Sequence, residues 1–156
     1  MYTNLSRNNS HKLPAVILVS LVWVMSFSLA HADTKPVEIP QPLAKALSSY
    51  KQDGIRGFIT TLVDGSPLEG NQEMRTQVAI LEKIEQFYGP YQSYEVLQVN
   101  PLSNSTRLVY FLLNYQKGPV FGRLTAFNNG GRETITSFEF HTKAEKALPE
   151  ALLVSH

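Results

Sequence analysis

The chain contains no cysteine. That absence removes thiol nucleophiles, thiolate metal ligands and disulfide staples together, so the fold must hold by packing alone. Aspartate is scarce as well: Asp33, Asp53 and Asp64 are the whole set, and none lies in a stretch with strand patterning. Of the four histidines only His141 and His156 fall beyond residue 32, too few for a multi-histidine metal site, and no cofactor is expected. Clustered cations are also missing. Lysines and arginines are scattered singly, whereas a nucleic-acid footprint needs them gathered on one face, so no nucleic-acid partner is expected.

What is present begins with a leader. Residues 1–14 are polar and carry Arg7 and Lys12, Ala15 to Ala30 is a nearly unbroken apolar run, and Ala30-His31-Ala32 sets small residues at alternate positions ahead of Asp33. This is the pattern of a secretory signal peptide over residues 1–32, cleaved after Ala32. The apolar run is 16 residues long. A membrane span wants roughly 20, so an exported protein, periplasmic or extracellular, with no membrane contact after cleavage is the expectation. Cleavage removes Arg7 and Lys12 and leaves twelve cations against thirteen carboxylates, moving the net charge from +1 to −1. The 124 residues that remain can form one unstapled core. Domains of that size bury roughly two-thirds of their unfolded surface.

Residues 33–42 hold three prolines and no apolar period, and read as an extended leader to a domain over 43–141. Leu43, Ala46, Leu47 and Tyr50 recur at helical spacing until Asp53-Gly54, and Ile55, Phe58, Ile59 and Leu62 form a second stripe that Asp64-Gly65 stops. Ser66-Pro67-Leu68-Glu69 has the form of a capping box, followed by Gly70-Asn71. The longest helix is predicted over Gln72 to Tyr88, with Met74, Val78, Leu81, Ile84 and Tyr88 on one face, Ile80 and Phe87 widening it, and Gly89-Pro90 ending it. Tyr91 to Val99 then alternates as a strand, with Leu97 and Val99 on one side and Tyr94 and Val96 on the other.

Thr106 to His141 reads as three further antiparallel strands, β-branched and aromatic, separated by turn residues. With Lys117-Gly118 and Asn129-Gly130 as two-residue loops, Asn114 faces Phe121, Leu112 faces Arg123, and Arg123 faces Thr136. One sheet face then gathers Val109, Phe111, Leu113, Tyr115, Val120, Leu124 and Ile135. The other gathers Tyr110, Asn114, Arg123, Thr136, Phe138 and Phe140, among others. Both faces are apolar enough to want cover. The tail, 142–156, carries a short amphipathic piece interrupted by Pro149 that is expected to cover a sheet edge. The fold class is therefore α+β: N-terminal helices packed on a curved, cone-like, four-stranded antiparallel sheet.

This order of helices and long hairpins, joined by Tyr88-Gly89-Pro90-Tyr91, resembles the nuclear transport factor 2-like, or ketosteroid-isomerase-like, superfamily over roughly Gln41 to His141. The cystatin-like arrangement is the main alternative. The resemblance implies a cone-shaped pocket between sheet and helices and an outer sheet face available for a homodimer. Isomerase-type members use an Asp base with Tyr and acidic donors, and dehydratase-type members an Asp and His set. Here no strand carries an Asp, so the resemblance brings no catalytic residue with it.

Tyr110, Asn114, Arg123 and Thr136 are the candidate pocket residues. Arg123 has the donor fork to anchor a carboxylate or phosphate, or to pair with a nearby Glu. Tyr110 and Tyr115 offer hydroxyl donors or serve as core with a wet tip. Glu139 and His141 form a possible acid–base pair or an exposed strand end, and Tyr94 joins Tyr88 and Tyr91 around the helix-to-sheet corner. Asn104-Ser105-Thr106 is a glycosylation acceptor where the source modifies exported proteins. The expected function is a non-catalytic ligand-binding or assembly module, taking a small apolar or anionic ligand or a second copy through the sheet face. The alternative is a small-molecule isomerase, lyase or hydrolase.

Overall fold

The computed structural model describes residues 38–154; the expected signal peptide lies outside them, as does His156. The fold is α+β, two helices followed by an open four-stranded antiparallel sheet in the order β1-β2-β3-β4. No helix among the described residues is long and apolar enough to cross a membrane.

Helix α1 (Gln41–Val63) is two helical segments joined at Gly54, whose φ of 62° and ψ of −165° break the ladder where Asp53-Gly54 marks a stop. Glycine carries this left-handed φ without the Cβ clash other residues would meet. Leu43, Ala46, Leu47 and Tyr50 before the break, and Ile55, Phe58, Ile59 and Leu62 after it, are all buried. Pro40 supplies no side-chain cap at the start of the helix. Glu133 on β4 does so instead, its carboxylate accepting from the Gln41 N–H at 2.9 Å.

The Ser66-Pro67-Leu68-Glu69 stretch stays a chain of turns rather than starting a helix. Gly70 follows at φ 68°, a conformation that cannot continue a helical turn. The cap is Asn71, whose side chain accepts from the Met74 N–H at 2.8 Å and opens α2 (Gln72–Tyr88). Val78, Leu81 and Ile84 are buried against α1, with Met74, Ile80 and Tyr88 packed on the same core. Phe87 does not widen the stripe: it is 74% exposed. It lies one residue, about 100° of helical rotation, from Tyr88, and so points past the core.

The strands are β1 (Tyr91–Pro101), β2 (Thr106–Tyr115), β3 (Gly118–Asn128) and β4 (Glu133–His141). In β1 the strict alternation fails. The register shifts between Val96 and Gln98, so Val96 and Val99 both turn to the core while Leu97 is 37% exposed. The β2–β3 loop is Gln116-Lys117, one residue earlier than the turn chemistry indicates, so Leu112 faces Phe121, Tyr110 faces Arg123 and Asn114 faces Pro119. The faces survive that change because it moves every pairing by an even step.

The β3–β4 connection changes more. The loop is four residues, 129–132, with the Asn128 side chain accepting from the Gly130 and Gly131 N–H groups. A bulge near Thr136 then adds an unpaired residue to β4, so Arg123 faces Glu139 rather than Thr136. One extra residue exchanges sides for everything beyond it. Phe138 and Phe140 therefore enter the core, at 2% and 4% exposure, and Glu139 and His141 turn outward. Burial of two phenylalanines, worth roughly 2–3 kcal/mol each, favours the bulged register over the regular one.

Gly122 sits under the Phe111 ring, which a Cβ at this position would overlap. Where α1 meets the sheet, the Tyr50 and Tyr115 hydroxyls share a 2.7 Å hydrogen bond and Tyr91 stacks on Tyr50 with ring centroids 4.0 Å apart. Tyr94 is 40% exposed and is not one of these stacked rings. The tail folds as α3 (Ala144–Ala147) and α4 (Glu150–Leu153). Instead of shielding an edge alone, α3 packs across β3 and β4, burying Ala147 outside the main core.

Candidate functional site

Four strands in register set a row of side chains across the outer sheet face. Gln98 of β1 faces Tyr110 of β2, Tyr110 faces Arg123 of β3, and Arg123 faces Glu139 of β4. The bulge near Thr136 is what brings Glu139 into this row. Arg123 and Glu139 form an ion pair, and the other carboxylate oxygen of Glu139 lies 3.1 Å from His141 Nε2. Partial burial pushes the Glu139 carboxyl upward, but the hydrogen bond with His141 and the charge of Arg123 outweigh it and hold the group below the usual carboxylate value.

Helix α2 completes the site from the other side. Glu73 and Gln77, one helical turn apart, face Leu108, Arg123, Thr125, Ser137, Phe138 and Glu139 across a groove of about 530 Å³. The Gln77 side-chain oxygen is buried there without a hydrogen-bond partner. An orphaned buried acceptor of this kind costs about 1–3 kcal/mol.

Of the residues singled out from sequence, Arg123 and Glu139 line the groove, Tyr110 lies beside Arg123, and His141 touches Glu139. Tyr110 is only 6% exposed and presents little surface to a ligand. Asn114 is held at the far end of the sheet, donating to Ser93 Oγ at 3.3 Å and Glu95 Oε1 at 2.8 Å. Thr136 belongs to the bulge, its hydroxyl donating to the Thr125 carbonyl at 3.4 Å, and Tyr94 lies on β1 away from the row. Glu73, Gln77 and Ser137 escaped the sequence reading. The first two are four apart on the polar flank of α2, a pattern that any solvated helix face shares. Among the described residues no three His, Asp or Glu side chains gather as metal ligands.

No protein-family model matches the chain, and no curated protein does. A solved structure that matches is a de novo designed β-sheet protein of cystatin fold, at 14% identity and a TM-score of 0.30, covering 44% of this chain and 88% of that one. Neither fold nor function is inferred from a likeness this slight.

Proposed function

We propose that the chain is an exported, non-catalytic ligand-binding module whose site is the groove between α2 and the outer sheet face. The observation that carries this reading is convergence: Gln77 from a helix, Arg123 from β3 and Glu139 from β4, far apart in sequence, meet around one cavity of about 530 Å³. Cavities of that size suit small molecules. Tyr110, at the centre of the outer face, is already covered within one copy, which favours a ligand over a homodimer through that face. Membership of the nuclear transport factor 2-like superfamily remains part of the proposal and rests on element order alone.

The experiment is native mass spectrometry of protein recovered from cells expressing the full chain, beside a Ser137→Trp variant that fills the groove. A small molecule retained by the wild type and lost from a folded Ser137→Trp protein supports the reading. Retention by both variants places the ligand elsewhere and overturns it.

An isomerase, lyase or hydrolase is the second reading, favoured by one contact. A carboxylate that holds an imidazole, as Glu139 holds His141 at 3.1 Å, fixes the ring for proton transfer. His141 is not among the residues that line this groove, so the reading needs a site other than the groove. Turnover of a small-molecule panel that His141→Ala abolishes would make this the better account.

A further inference from the structure

We infer that residues 142–154 are a displaceable cover for the outer sheet face, and that the face beneath, around Tyr110, Leu112 and Phe121, is where a second copy docks once the cover lifts. The inference does not depend on the groove holding a ligand. Two buried apolar residues, Tyr110 and Ala147, stand outside the main core. Tyr110 is on the outer face, since its neighbours Val109 and Phe111 point into the core, and Ala147 is on α3, which packs across β3 and β4. Helix α1 and the apolar stripe of α2 pack on the inner face, and the groove does not reach Tyr110, so among the described elements the tail is left to cover it. The chain leaves the sheet at the right place. His141, the last residue of β4, faces Phe121, and Phe121 faces Leu112. Leu112 and Phe121 are half-buried, as are Leu148 and Leu152 of the tail.

The hold of the tail on the sheet is slight. Helices α3 and α4 have four residues each, too few to stand without packing. Their backbone hydrogen bonds stay within the tail, from Lys146 to Lys143, Leu148 to Ala144 and Leu152 to Pro149. Among the described residues no ion pair ties the tail to the sheet. Chain ends held this way open locally at little cost. While closed, the tail turns Lys143, Glu145, Lys146 and Glu150 to water, replacing an apolar surface with a charged one. A second copy suits the uncovered face because that face carries both signs of charge: Arg123 and Glu139 lie side by side in the row that holds Tyr110, and both are partly exposed. In a two-fold pairing Arg123 of each copy can meet Glu139 of the other, so two pairs within copies become two between them.

The test is light scattering with hydrogen exchange on the full-chain product and on Ala147→Glu, which sets a carboxylate at the buried contact and leaves the sheet sequence intact. Wild type is expected to be a monomer. Ala147→Glu is expected at twice that mass, with exchange raised over 144–153 and the strands still protected. Adding Phe121→Lys should return the monomer while the tail stays open. A folded Ala147→Glu protein that remains monomeric with its tail open overturns the proposal, as does a tail no less protected than in wild type, a wild-type dimer, or a dimer that Phe121→Lys leaves unchanged. Where Ala147→Glu does not fold, Leu148→Asp, at a half-buried position, takes its place and is read in the same way.

Discussion

The Glu133 carboxylate on the last strand accepts a 2.9 Å hydrogen bond from the Gln41 N–H, the first of α1, across 92 residues of sequence. The same carboxylate takes two bonds from the Arg107 guanidinium, which also donates to the Glu38 carbonyl at 2.7 Å. Helix start, leader and sheet are thus tied at one nearly buried acid. Glu133→Ala is expected to cost about 2–4 kcal/mol, combining a lost cap with an arginine left unpaired, and Glu133→Gln less, because an acceptor remains. Urea unfolding of both variants checks the order.

Gly122→Ala is expected to destabilise by about 1–3 kcal/mol, the usual cost of overpacking, because its Cβ meets the Phe111 ring. Adding Phe111→Leu should return part of that loss. Additive destabilisation in thermal melts of the double variant would argue that the two sites do not share the contact.

The tyrosine corner sets an alkaline limit. Burial, reinforced by the neighbouring Tyr94, pushes the Tyr91 hydroxyl up to about 12; burial does the same at Tyr115, also to about 12, despite the opposing bond from Tyr50. Tyr50 is raised further, chiefly by burial. Their contribution to stability is full below the ordinary tyrosine value of 10.0 and is lost as pH climbs from there towards 12. Ultraviolet titration of the folded protein should show tyrosines that resist ionisation until unfolding. Tyr50→Phe should remove about 1 kcal/mol at neutral pH through the lost hydroxyl bond.

Glu139 sets a smaller acid limit. Its folded value lies below 4.5, so its contribution is present above pH 4.5 and disappears as pH falls through the lower folded value. The group is a third exposed, and solvent screening reduces the effect to a few tenths of a kcal/mol. Comparing the acid limb of stability for wild type and Glu139→Gln measures it, and identical limbs would show that the Arg123 and His141 contacts contribute nothing.

Helix α2 was legible from the sequence to both ends, since its apolar stripe, and the Gly89-Pro90 stop after it, agree. The break at Gly54 and the order of four strands were legible for the same reason: local preference and burial point the same way. The bulges were not. Thr136 carries no local signal for one; the extra residue follows from Phe138 and Phe140 reaching the core, a balance only the assembled sheet decides. The site inherited that blind spot. Arg123 and Glu139 each stood out, but their partnership depends on the bulge, and Gln77 looked like any exposed helix residue until the sheet edge was beside it.

The most direct measurement is light scattering joined to native mass spectrometry on protein recovered from cells expressing the full chain. A monomer carrying a small molecule, released when Ser137→Trp fills the groove, is the predicted result. A ligand-free dimer, joined through the outer face and leaving the groove empty, would contradict it and make the chain an assembly module.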